Sequence, residues 1–323
     1  MPRKKNVPLV APLLPEPEIR NEPWEEMPLY KKLFKDEKPD PYLSTKTGLL
    51  FQGDSIPWLR AISDKSVDLI FADPPFDSGR AKTSGYRAQE IYINWSMEWI
   101  SESARILKPR GTLVICGFTE ILADLKHPAS KFFRGGCKWL IWYYKNKANM
   151  GTDWGRSHES LLILRKSKNF TMNLDPVRIP YREHTLKYPY RTTADGSPRE
   201  RKFSDDWTPN PLGAKPKDVL EIPTAGSGAE EKTAHPAQKP EELLRKIIAS
   251  ASREGEIVLD PFAGSGTALV AADQLRRRWV GCEINPEYNK FAKDRICFPL
   301  THKTPEEWLE FDRDRDRQRA AKN

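Results

Sequence analysis

The chain has 323 residues, 38% of them hydrophobic and 30% charged, with a formal net charge of +8; it is long enough to bury a large core, and its positive balance suits a polyanionic partner. Four scattered cysteines without a C-x-x-C pair argue against a zinc site or a disulfide framework, so no metal is expected. No apolar run approaches a membrane span and the N-terminus lacks the apolar stretch of a signal peptide, which points to a reducing, cytoplasmic compartment.

Residues 1–45 mix proline with charge, show little periodicity and read as a flexible arm. Order is expected from 48–54, a short strand ending in a turn at Asp54. The run at 67–71 has the pattern of a strand buried in a parallel sheet. Residues 96–107 place Met97, Ile100, Ala104 and Leu107 on one helical face. Lys108-Pro109-Arg110-Gly111 is expected to stop that helix before a strand at 112–116. Strands follow at 139–144 and 160–164. From 170 to 234 the pattern dissolves into prolines, arginines and tyrosines, an insertion with its own task rather than core sheet. Pattern resumes with a helix at 240–252, a strand at 257–259, a helix at 267–275, a strand at 279–284 and a helix at 286–296. Thr304-Pro305-Glu306-Glu307 looks like a capping box, and the charged end after it is expected to fray.

Two turns at strand ends carry chemistry, because ligands of open α/β sheets bind at that edge. In Asp260-Pro261-Phe262-Ala263-Gly264-Ser265-Gly266-Thr267, the two glycines permit a tight turn and close approach of backbone to a ligand. Glu283 ends the next strand, where a carboxylate can accept both hydroxyls of a ribose. A G-x-G-x-x-G fingerprint would need glycine at position 269, which is Leu269, and the lysine of a P-loop is missing. The loop therefore suits an adenosine ligand without a pyrophosphate, with Asp260 facing its positively charged amino end. The plainer reading of Asp260 and Glu283 is a helix cap and a surface carboxylate.

The second turn is Asp73-Pro74-Pro75-Phe76. The exocyclic amino group of a nucleobase is a poor nucleophile, since its lone pair is delocalised into the ring. A carboxylate and a main-chain carbonyl that both accept its hydrogens draw that pair back. Asp73 offers the carboxylate; Pro74, beside the equally rigid Pro75, offers a carbonyl at a fixed angle; Phe76 offers a flat face for a base. The plainer reading is a turn with an Asp cap and two prolines.

With these residues the chain resembles the N6-adenine/N4-cytosine amino-group DNA methyltransferases, in the motif order of their β group. Asp73-Pro74-Pro75-Phe76 is similar to the family's D-P-P-[YF], His235-Pro236-Ala237-Gln238-Lys239-Pro240 to its H-P-x-Q-K-P, and Asp260 through Thr267 to its D-x-F-x-G-S-G-T loop. The resemblance implies a circularly permuted, Rossmann-like S-adenosylmethionine-dependent methyltransferase sheet with an inserted recognition region. It implies a catalytic half at 46–169, target recognition at 170–234, a cofactor half at 235–300 and a charged C-terminal helix or tail at 301–323. Asp54 would bond the adenine amine of S-adenosylmethionine, Glu283 its ribose, and Asp260, Phe262, Ala263, Gly264, Ser265, Gly266 and Thr267 its methionine end, helped by His235, Gln238 and Lys239. Asp73 would lie between cofactor and base. Lys239 has the alternative of being merely solvated.

Double-stranded DNA is the expected substrate, flipped base by base, with Arg178, Arg182, Lys187, Arg191 and Arg201 as candidate DNA contacts. A cognate restriction endonuclease and a second copy of the chain are candidate partners, in a prokaryotic or phage setting. Asp at the first catalytic position points to N6 of adenine. N4-cytosine methylation is the near alternative, and an inactive methylase-like DNA-binding module the remote one.

Overall fold

A computed structural model describes residues 24–34, 39–75, 86–145, 154–187, 208–226 and 229–321. Nine strands form one sheet: β1 (Leu43–Ser44), β2 (Gly48–Gln52), β3 (Val67–Ala72), β4 (Leu107–Gly117), β5 (Cys137–Tyr143), β6 (His158–Arg165), β7 (Val219–Glu221), β8 (Ile257–Asp260) and β9 (Arg278–Glu283). Their order is β1-β2-β9-β8-β3-β4-β6-β5-β7. The neighbours from β2 through β9, β8 and β3 to β4 are parallel, so their carboxyl ends share one edge. Strand β6 runs antiparallel to β4 and starts at that same edge. The helices are α1 (Pro28–Leu33), α2 (Ser55–Ala61), α3 (Tyr86–Ile106), α4 (Thr119–Ala129), α5 (Glu183–Lys187), α6 (Glu241–Ala251), α7 (Thr267–Gln274), α8 (Pro286–Cys297) and α9 (Pro305–Ala321). Among the described residues no helix is long and apolar enough to cross a membrane.

The period of two along each strand feeds two cores, one on each face of the sheet. Ile70, Ala72, Leu113 and Ile115 pack with Trp58 of α2, Trp99 of α3 and Leu122 of α4. Leu69, Phe71, Val114 and Cys116 point the other way, onto Leu244 of α6, Leu269 of α7 and Ala292 of α8. Each fully buried side chain of this size contributes roughly 1.5–3 kcal/mol. Both faces are covered, which explains why the central strands are mostly apolar, with Asp68 of β3 the polar interruption near its start.

Several expectations need correction. The arm expected to be loose up to residue 45 is packed from residue 24: Met27, Leu33 and Phe34 are buried, and Leu43–Ser44 adds an edge strand to β2. Apolar burial there outweighs a weak local pattern. Residues 1–23 lie outside the described residues. Helix α3 begins ten residues before position 96 and passes directly into β4, so Lys108-Pro109-Arg110 is strand rather than stop. The pairing with β3 shifts register there, and Lys108 Nζ bonds Asp68 Oδ2 at 2.7 Å, an irregular end that tolerates a proline without an N–H. The insertion does enter the sheet, because β7 pairs with β5. Helices α2 and α4 fall between the elements that the sequence suggested, although Leu122, Leu125 and Ala129 of α4 are buried at helical spacing. The charged C-terminus does not fray. Thr304 N donates to Glu307 Oε2 and Glu307 N to Thr304 Oγ1, a reciprocal capping box, and Arg245 holds Asp312 through two 2.8 Å bonds.

Candidate active site

Asp54, Glu283, Asp260 and Asp73 end or immediately follow β2, β9, β8 and β3, four neighbouring parallel strands. Their side chains line a cavity of about 430 Å³ with Pro74, Pro75, His235, Gln238, Lys239, Phe262, Ala263, Gly264, Ser265 and Thr267. Two segments separated by almost 190 residues thus meet because β3 and β8 are hydrogen-bonded neighbours. A larger groove of about 790 Å³ along α6, α8 and α9 contains none of the residues that the sequence singled out.

The loop after β8 is shaped by its glycines. Gly264 has φ +52 and Gly266 φ +76, both in the left-handed region. A Cβ on Gly264 would press on the His235 ring, and one on Gly266 would collide with Ala292 of α8. Gly266 is accordingly the exception among the expected cofactor residues: it faces a helix, not the cavity. Ser265 and Thr267 are tied from behind by Arg295, whose Nη1 reaches Thr267 Oγ1 at 2.8 Å and Ser265 Oγ at 3.2 Å. Phe262 rests edge-on against Trp99, its ring centroid 5.3 Å away.

The carboxylates differ in what holds them. Asp54 caps α2, accepting the Ile56 N–H at 2.9 Å. Asp260 accepts the Phe262 N–H at 3.0 Å, is 3% exposed, and has no ion pair among the described residues. Burial above all pushes its pKa well above the usual carboxylate range, and the charges of Asp73 and Glu283 add to this. Glu283 accepts N–H groups from Gly264 and Asn285, each at 2.8 Å, which partly offsets the upward push of burial.

Asp73 is the most constrained. Lys239 Nζ donates to its Oδ2 at 2.7 Å, while Oδ1 is buried and has no hydrogen-bond partner among the described residues. Lys239 is 6% exposed and also lies 3.3 Å from Glu159 Oε2. Its solvated alternative is therefore overturned: it is the cation of a buried acidic cluster completed by Cys116, whose Sγ is 3.5 Å from Glu159 Oε2. Burial, and then Glu159, raise Asp73; Lys239 pulls the other way. Burial opposes the charge on Lys239, yet Asp73 foremost keeps that charge more firmly than in an ordinary lysine. Gln238 does not point its amide at the ligand space alone: it accepts from Thr233 N and Oγ1 and donates to Glu231 O, pinning the loop before α6. His235 packs on Tyr288 with ring centroids 4.3 Å apart, and burial, then Lys239, lower its pKa to about 4. Glu159, Cys116 and Tyr288 were given no role by the sequence; Glu159 reaches the site only because β6 lies beside β4.

Residues 67–294 match the DNA methylase model of the N6/N4 methyltransferases. The chain belongs to this DNA methylase family. The methylase is 33% identical over 254 residues to the type II methyltransferase M.HpaI of Haemophilus parainfluenzae, covering 76% of this chain and 73% of that protein. It is 32% identical over 253 residues to the DNA adenine methyltransferase YhdJ of Escherichia coli, covering 76% and 82%. Its fold matches the cytosine-N4-specific PvuII DNA methyltransferase with a TM-score of 0.63 at 18% identity, over 87% of this chain and 96% of that one. The permuted Rossmann-like sheet inferred from the motifs is the fold of this methylase.

The candidate DNA contacts of the methylase separate in space. Arg178 is inward and mostly buried, bonding Asp175 Oδ1 at 2.7 Å and the Gly213 carbonyl at 3.0 Å. Through Nε and Nη1 it braces two parts of the insertion against each other. Arg182 precedes α5 and Lys187 is its last residue, both exposed. Arg191, Arg201 and Phe76 lie outside the described residues.

Proposed function

We propose that this methylase transfers a methyl group from S-adenosylmethionine to N6 of adenine in double-stranded DNA, on a base extruded into the cavity. The observation that carries the reading is Asp73 Oδ1, a buried acceptor that has no donor among the described residues, beside a rigid Pro-Pro turn. A buried acceptor left unpaired is costly and implies a donor that arrives with the substrate.

The cavity suits the cofactor. Its volume lies within the range for nucleotide-sized ligands. Asp260, without a cation, answers a positively charged amino end; the spare lone pairs of Glu283 answer ribose hydroxyls; Asp54 stands at the neighbouring strand end for an adenine amine. A protein assigned as a DNA modification methylase from Thermus thermophilus, with TM-score 0.52 and 22% identity over 78% of this chain and 95% of that one, was crystallised with S-adenosyl-L-methionine. When bound, that cofactor supplies a methyl group already activated by its sulfonium.

The chain's own residues do the rest. Asp73 Oδ1 and the Pro74 carbonyl accept the two amine hydrogens and return the lone pair to nitrogen. The walls around Asp73 and Phe262 exclude water, so these hydrogen bonds act in a low dielectric. Phe76 is the proposed stacking face. Extrusion of the base costs roughly a few kcal/mol, and stacking returns about 1–3 kcal/mol. Residues 170–234 are proposed to choose the DNA sequence, with Arg182 and Lys187 on the phosphates.

The adenine assignment rests on Asp at position 73 and on the likeness to YhdJ. The N4-cytosine reading has the PvuII enzyme's fold in its favour. The type II names of M.HpaI and other relatives support a place in a restriction–modification system. Treating unmethylated DNA with the protein and labelled S-adenosylmethionine, followed by nucleoside mass spectrometry, decides the base. N6-methyladenine is expected; N4-methylcytosine would move the target, and no labelled nucleoside would leave a DNA-binding module.

A further inference from the structure

We infer that Lys239 and Glu159 are positioning residues for Asp73: Lys239 grips Oδ2 and so aims Oδ1 into the cavity, and Glu159 offsets the Lys239 charge so that Asp73 can take the proton which the methylated amine releases. The inference rests on the methyl-transfer reading. Three elements converge to build the cluster: the turn after β3 brings Asp73, the segment before α6 brings Lys239, and β6 brings Glu159. Nζ donates to Asp73 Oδ2 at 2.7 Å and to the Ala237 carbonyl at 3.3 Å, and it lies 3.3 Å from Glu159 Oε2 as an ion pair, so the ammonium is held between both carboxylates. The Asp73 and Glu159 side chains are each 17% exposed, which leaves the pair shielded from bulk water.

Charge explains why both partners are needed. Beside Lys239 alone, Asp73 would be a weak base. Beside Glu159 alone, it would hold a proton more tightly, at the expense of one acceptor oxygen. Two carboxylates and one ammonium give the cluster a formal charge of −1. In the transfer, the amine lone pair forms the new N–C bond and nitrogen becomes positive. The pair of the broken S–C bond stays on sulfur, which becomes a neutral thioether. One N–H proton then passes to Asp73 Oδ1, and the cluster becomes neutral. The other ionisable groups facing it oppose this less. Burial keeps the Cys116 thiol and the Tyr92 hydroxyl protonated, and His235 is neutral; Tyr144 lies beside Glu159, and Asp260 is the next carboxyl along the edge.

The test is a cycle of Glu159→Gln, Lys239→Gln and the double variant. Two properties are read: the pH dependence of single-turnover methylation, and the titration of the Asp73 carboxyl by carbon-13 NMR without DNA or cofactor. Glu159→Gln removes a like charge, so the Asp73 titration and the acid limb of the rate should both move down by about one unit. Its plateau rate should fall roughly tenfold, with cofactor and DNA affinity within about twofold. Lys239→Gln should move both up and regain rate as pH rises, and the double variant should return them toward wild type. A Glu159→Gln protein that melts earlier but keeps its rate, acid limb and carboxyl titration would make the cluster structural only and overturn the inference. Glu159→Gln decides the matter by itself if Lys239→Gln does not fold, since it preserves shape. If the carboxyl titrations shift as stated but wild-type protein methylates neither base, the charge balance stands and the methyl-transfer reading falls.

Discussion

Glu283 Oε2 accepts the Gly264 N–H at 2.8 Å, so the carboxylate at the end of β9 holds the glycine loop that follows β8. The residue proposed to bind ribose therefore also sets the loop proposed to bind the methionine end. Glu283→Ala should weaken S-adenosylmethionine binding at least tenfold, since a charge-assisted hydrogen bond contributes about 1.5–3 kcal/mol. Titration calorimetry checks this; equal affinity would move the ribose contact elsewhere.

Asp73→Asn keeps the shape of the turn but removes the charge that answers Lys239. Methyl transfer should fall by about a hundredfold or more. DNA affinity should stay within a few-fold, because Asp73 acts on the amine and not on phosphates. Gel-shift and single-turnover assays on the same preparation separate the two, and turnover within tenfold of wild type would sink the assigned role.

Arg178→Ala should behave as a stability variant. Its bonds to Asp175 and to the Gly213 carbonyl tie two parts of the insertion together. Loss of about 1–2 kcal/mol is expected, with the salt slope of DNA binding unchanged. A slope flattened by one unit, with unaltered melting, would restore it as a phosphate contact.

Asp312→Ala should be the most destabilising of these changes. Arg245 is 2% exposed, and Asp312 meets it with both oxygens. Removing one partner of a buried pair costs roughly 3–5 kcal/mol. Gln274 and Glu241 also contact Arg245, which places the expected value near the lower end, about 3 kcal/mol. Denaturant unfolding measures it; a change under 1 kcal/mol would mean that α9 is docked by its apolar residues alone.

His235 should remain neutral across the working range, since burial and the nearby Lys239 lower its pKa to about 4. An unfolded histidine titrates near 6.5. Between those values the unfolded chain binds a proton that the folded chain refuses, so this group's effect on stability appears as pH falls from about 6.5 toward about 4. His235→Gln should flatten the stability profile in that window. An unchanged slope would show that the ring is more open to water than its packing on Tyr288 implies.

Much of the fold was legible because the central strands carry it in their own residues. The strands at β3, β8 and β9 were anticipated within two residues, since a strand covered on both faces is apolar along most of its length. The glycine loop and the Asp-Pro-Pro turn were legible for a different reason: backbone geometry and amine chemistry each admit few residue types. What misled was weak local signal set against tertiary burial. Residues 24–34 look loose until Leu33 and Phe34 meet the core, and nothing local shows that Arg178 bonds the Gly213 carbonyl 35 positions away.

The sequence by itself determined the central strands, the two motif turns and the family, because periodicity and turn chemistry are local properties of the chain. It could not say that Lys239 belongs to Asp73, 166 positions away, or that Glu159 would share the same ammonium. Those partnerships exist because β3 lies between β8 and β4, and because β6 runs back beside β4 to deliver its first residues to the shared edge. Electrostatic strength depends on distance and burial, and both are set only when distant segments pack.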